Sequence, residues 1–132
     1  MAKYVFPAVF TPEDIGGYSI NFPDLPSCYT QGDDLKDGYK MAEDVASAVL
    51  VDLENEHKVI PAPSDPASLH LEPGEFTALI GADTLAYRQA TDSRAVKKTL
   101  SIPHWLNVLA ERESVNFSQT LQEALKERLG VI

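Results

Sequence analysis

The chain is predicted to be an α+β protein: a small antiparallel sheet with one long helix, followed by a separate strand, helix and helix. Three observations predict this. Segments such as "YSINF" (18–22) alternate apolar and polar residues with the two-residue period of a half-buried strand. From Leu35 to about Glu56 the apolar residues recur at steps of three and four instead. The charge balance also breaks late in the chain. Met1 to Ser93 holds five basic residues against sixteen acids, a net of -11. From Arg94 onward six basic residues face four acids, a net of +2 within a chain of -9. Such an asymmetry points to two tasks, one of them on nucleic acid.

A length of 132 residues suits one ordinary domain. The charge break and the polar stretch "YRQATDSRAV" argue for a finer division into a front domain over 1–86, a linker over 87–96 and a module over 97–132. A module of about 36 residues is too small to bury an adequate core alone and needs a partner chain. With 44% hydrophobic and 23% charged residues, the composition is that of a globular chain rather than a disordered one. Cys28 is the sole cysteine, which rules out an intrachain disulfide and fits a reducing cytoplasm. Pro7 interrupts the start, so no signal peptide is expected. The apolar run Val45 to Val51 is too short to cross a bilayer, and a soluble, cytoplasmic protein is expected.

The elements follow in order. "YVFPAVF" (4–10) is rich in branched and aromatic residues and predicts a strand, with Pro7 suggesting an edge or bulge. "TPEDIGG" is turn chemistry, and "YSINF" completes a hairpin. A short third strand is expected around Cys28 to Thr30. Asp34 is placed to cap the long helix, with Asp37 three residues on. Its apolar stripe comprises Leu35, Tyr39, Ala42, Ala46, Val49 and Leu53. Four prolines mark Pro61 to Glu75 as a connection, after which "FTALIGADT" (76–84) predicts one more strand.

In the tail, "KKTLSIP" places Leu100 and Ile102 on one strand face and Lys97, Thr99 and Ser101 on the other. Lys98 falls on the apolar side, but near the strand's start its charge can reach water or a phosphate. Pro103 ends the strand and suits the first turn of a helix carrying Trp105, Leu106, Leu109 and Ala110. "SVNFS" breaks that helix, and Ser118 is expected to cap a second one with Leu121, Ala124, Leu125 and Leu129 on its apolar face and Gly130 at its end.

Catalytic chemistry finds little purchase. His57, His70 and His104 lack paired ligand spacing, so no metal is expected, and no cofactor motif occurs. Cys28 in a strand is expected to be buried and inert. A two-metal nuclease needs carboxylates on adjacent strands, yet "YVFPAVF" and "YSINF" hold none, and Asp14, Asp24, Asp33 and Asp34 fall in turns or caps. No catalytic residue is assigned.

"VKKTLSIPHWLNVLAERESVNFSQTLQEALKERLG" resembles a ribbon-helix-helix module of the Arc/MetJ type. The resemblance implies two interlocked chains whose strands pair as a ribbon in the major groove. Lys97, Thr99 and Ser101 would then read bases, with Lys98, Ser118 and Gln119 near phosphates. Leu100, Ile102, Trp105, Leu109, Leu121 and Leu125 would form the dimer core. Polar residues on a lone strand could merely guard an edge, but the helix pair behind them favours base contact.

The front is similar to the N-terminal domain of HicB-family antitoxins, carried by G-Y-x-x-x-F-P-D-L-P at Gly17 to Pro26, a Gly-Asp pair and the amphipathic helix. Asp34 replaces a commoner Ser or Thr, and Ser27 a commoner Gly. The family implies a partial RNase H-like fold without catalysis and a HicA-type toxin partner, a basic mRNA interferase. It also implies operator DNA and a homodimer or higher oligomer. The competing reading is a ribbon-helix-helix transcription regulator whose front domain senses a small molecule. A toxin-sized neighbouring gene for a basic protein would separate the two.

Overall fold

The computed structural model describes residues 2–131. The outermost positions of the expected domains, Met1 and Ile132, lie outside the described residues. The chain divides into two compact units, Met1–Arg94 and Ala95–Ile132, one residue past the charge break.

The first unit is a four-stranded antiparallel sheet covered on one face by a helix. Its strands are β1 (Lys3–Pro12), β2 (Tyr18–Asn21), β3 (Tyr29–Gly32) and β4 (Phe76–Asp83), in the spatial order β3-β2-β1-β4. Helix α1 (Leu35–Asn55) joins β3 to the connection before β4, and α2 (Thr84–Thr91) follows β4. β1 is therefore an inner strand, and the edge suggested by Pro7 is local. In the β1–β4 register Lys3 faces Asp83, and the Thr84 N–H donates to Ala2 O at 3.1 Å in the same register. Even-numbered residues of β1 thus bond to β4, and odd ones face the other way. β2 pairs there only with Val9–Pro12. Pro7 lies beyond its end, where a missing N–H breaks no ladder bond.

Alternation turns Phe6, Ala8 and Phe10 of β1, Ile20 of β2, and Ile80 and Ala82 of β4 toward Ala42, Ala46 and Leu50 of α1, and all are buried. The expected helix stripe is corrected at its first turns and in its middle. Leu35 and Tyr39 are exposed, Val49 is half-buried, and Gly38 and Leu50 sit in the core instead. The cause is close approach. A Cβ on Gly32 would lie 2.3 Å from the Gly38 Cα, and one on Gly38 would lie 3.1 Å from the Phe10 ring. Only glycines let the helix start press onto β3. The cap is the expected one: the Asp37 N–H donates to Asp34 Oδ1 at 2.8 Å, while Asp37 Oδ2 accepts from the Asp33 N–H.

The linker over 87–96 is corrected in its first half. Tyr87–Thr91 belong to α2, which Asp83 caps by accepting from the Ala86 N–H at 3.0 Å. Arg88 on that helix is tied to Glu54 of α1 at 3.1 Å, so the segment belongs to the front unit.

The second unit holds α3 (His104–Arg112) and α4 (Phe117–Leu129). Residues 92–103 have no regular structure, so the strand expected over 97–102 is absent from the single chain. A strand needs the N–H and C=O groups of a neighbour, and among the described residues no backbone hydrogen bond joins 95–102 to another segment. Pro103 is the N-cap of α3 rather than its first residue. The cap of α4 is also corrected. Asn116, not Ser118, caps it, its side chain accepting from the Gln119 N–H at 3.0 Å, and Ser118 falls inside the first turn. Asn is as strong a cap as Ser, and its position brings Phe117 onto the helix. Gly130 ends α4 in the left-handed conformation at φ 68.

Candidate functional site

The second unit presents two kinds of surface. Along the segment without regular structure before α3, Lys97, Lys98, Thr99 and Ser101 are all exposed. So are most residues expected to form an apolar core: Leu100 and Trp105 are each 64% exposed, and Ile102, Leu109 and Leu125 nearly half. Leu121 alone is half-buried. Truly solvent-facing side chains would rarely combine this many large apolar groups in one small unit.

Part of this surface forms a groove. Leu100 and Ile102 line it together with Phe117, Leu121 and Ala124 of α4, and Lys98, Ser118 and Thr120 also line it. The structure thus brings together three of the six expected core residues, Leu100, Ile102 and Leu121. Trp105, Leu109 and Leu125 do not line this groove. Phe117 was missed by the sequence reading, although its spacing of four from Leu121 and seven from Ala124 signals the same face.

At the start of α4 the Asn116 cap satisfies the Gln119 N–H and leaves the N–H groups of Phe117 and Ser118 free among the described residues. The Gln119 side chain is turned along the helix, donating to Glu123 Oε1 at 3.1 Å. Thr120 Oγ1 donates back to Asn116 O.

The first unit carries one partly buried polar cluster, unseen in the sequence. Glu54 Oε2 accepts from the Tyr4 hydroxyl at 2.9 Å and from Thr84 Oγ1 at 3.0 Å, and Glu54 Oε1 accepts from Arg88 Nη2 at 3.1 Å. Burial pushes the Glu54 carboxyl up, but the hydrogen bonds from Tyr4, Arg88 and Thr84 outweigh it and hold the group below its ordinary value. The cluster ties β1, α1 and α2 together and does not open to a reactant. Burial also pushes the Cys28 thiol up to about 11, so it stays protonated and un-nucleophilic at neutral pH. Asp83 is the only acid within the four strands, and it is spent capping α2. Asp24 accepts from the Ser64 N–H at 2.8 Å and from its hydroxyl, fixing the long connection to the turn after β2. Among the described residues no three His, Cys, Asp or Glu side chains cluster as a metal site. No described helix is long and apolar enough to cross a membrane.

The family described as HicB_like antitoxin of bacterial toxin-antitoxin system matches residues 6–125. Antitoxin HicB 1 of Photorhabdus laumondii is 33% identical over 58 residues, which are 44% of this chain and 37% of that protein. The chain thus spans little more than a third of that curated relative. Among solved structures, a toxin-antitoxin complex from Streptococcus pneumoniae is similar with a TM-score of 0.62 and 26% identity, over 96% of this chain and 99% of that one. A crystal structure of antitoxin HicB3 is similar with a TM-score of 0.53 and 25% identity, over 98% of this chain and 100% of that one.

Proposed function

Since the chain belongs to the HicB-like antitoxin family, we propose that it is the antitoxin of a HicA-type pair and the repressor of its own operon. The front unit sequesters a basic, mRNA-cleaving toxin. The tail module, paired with that of a second copy, binds operator DNA. The reading rests on one observation: a strongly acidic compact unit is joined to a near-neutral, slightly basic one whose large apolar side chains lie in solvent. An acidic surface attracts a protein that must itself grip RNA. A second tail would cover Leu100, Ile102 and Trp105 and supply the strand that residues 97–102 lack. The two-fold would then set Lys97, Thr99 and Ser101 of both copies side by side, with Lys98, Ser118 and Gln119 close to the phosphates.

Two measurements test it on the full chain. Co-expression of the chain with its cognate HicA-type toxin should restore growth of cells that the toxin arrests. Titration on operator and scrambled duplexes at two salt concentrations should show Thr99→Ala losing roughly 1–3 kcal/mol on the operator and little on the scrambled site. If Thr99→Ala and Ser101→Ala both leave discrimination intact, the tail does not read DNA through this segment.

A further inference from the structure

Among the described residues the edge of the front sheet at β4 has no partner strand. Even-numbered residues of β4 bond to β1, as the Thr84–Ala2 hydrogen bond fixes, so Thr77, Leu79 and Gly81 turn their N–H and C=O groups outward. Among the described residues no backbone bond reaches them. Proteins usually blunt such an edge with a lysine, a proline or a very short strand. β4 runs for eight residues against four in β3, the opposite edge, and Phe76 to Ala82 contains neither a charge nor a proline. The sheet face away from α1 adds a small apolar patch there, with Leu79 and Val5 each more than half exposed.

The flanks select the occupant. Glu75 and Asp83 lie four residues on either side of Leu79. A second copy pairing antiparallel about Leu79 would set Glu75 against Asp83 of that copy, and like charges directly opposite destabilise a ladder. An incoming strand with basic residues toward its ends has the complementary pattern. We propose that the basic toxin docks by adding one of its strands to β4, as the fifth strand of the front sheet. Main-chain bonds to Thr77, Leu79 and Gly81 hold it, and Leu79 and Val5 contact its side chains. This rests on the toxin-binding reading above.

The test uses the full chain and its cognate HicA-type toxin. In the complex, amide exchange at Thr77, Leu79 and Gly81 should slow by roughly tenfold or more, while Tyr29 and Gln31 on the β3 edge stay unchanged. Leu79→Lys should weaken binding by about tenfold, and Leu79→Glu, losing the same apolar contact but adding an acid, by less. Leu79→Pro removes an outward N–H and should also weaken it, with circular dichroism confirming the fold. Tyr29→Lys should bind as the parent does. If the parent binds toxin but the β4 amides and Leu79 variants are unaffected, the toxin docks elsewhere, and this inference fails while the antitoxin reading stands. Protection of β4 in the free chain that grows with its concentration assigns the edge to a second copy and overturns it. A parent chain that does not bind the toxin removes both.

Discussion

Ser27 lies at φ 50, in the left-handed region where a side chain is strained and glycine is not. It is the position where the family resemblance leads one to expect glycine, and the backbone has kept the shape that glycine allows. A non-glycine residue held there costs about 1–3 kcal/mol, and glycine's extra freedom in the unfolded chain returns about 0.4–1. Ser27→Gly should therefore stabilise the front unit by about 1 kcal/mol, read as a higher urea midpoint. Glu54 makes the opposite kind of prediction. Its carboxyl is held below the ordinary value of about 4.3, so its contribution to stability is complete above that pH and is lost as pH falls through the folded value. Glu54→Gln should cost about 1–3 kcal/mol at pH 7 and flatten the acid side of the stability profile. Urea midpoints for parent and variant between pH 7 and pH 3 would show it, and parallel curves would disprove the link.

At the scale of elements, the cap of α4 gives a clean comparison. Asn116→Ala should cost about 1 kcal/mol of tail stability and Ser118→Ala only a few tenths, in thermal melts at fixed chain concentration. The contact between α1 and β3 gives another. Gly32→Ala drives a Cβ to within 2.3 Å of the Gly38 Cα and should lower front-unit stability by about 3 kcal/mol, despite gaining strand propensity. Strands and the long helix were legible because their apolar periods are local properties. β1, β2, β4 and α1 lie within two residues of where branched and aromatic content, alternation and the Asp34 cap put them. The misses were cases where two local signals competed or a distant residue decided. Asn116 and Ser118 are both good caps by residue type, and the structure selects Asn116, which accepts from the Gln119 N–H. α2 hides in a polar sequence because Arg88 is anchored by Glu54, thirty-four residues away. The rotation of α1 depended on two glycines meeting across the fold, which no single-segment pattern reveals. The large apolar set expected in the tail stays uncovered in one chain, as the small size of the module implies.

For the whole molecule, the division after Arg94 predicts that a chain ending there keeps its fold, since the hydrogen bonds described for β1, α1 and α2 all close within it. Its unfolding midpoint should match that of the front unit in the full chain, while self-association measured by light scattering disappears. A monomeric full chain at micromolar concentration would contradict the pairing of tails.

The same division gives Cys28 a use as an internal clock. The chain has a single thiol, it is 1% exposed, and it sits in the core that α1 and the sheet share. An alkylating reagent can reach it only when the front unit opens, so the mass gained per unit time counts openings without any introduced label. Toxin bound to that unit should slow the labelling in proportion to its occupancy. Operator DNA, if the tail alone binds it as proposed, should leave the rate as it was, so one native sulfur would separate the two binding events in a single mixture.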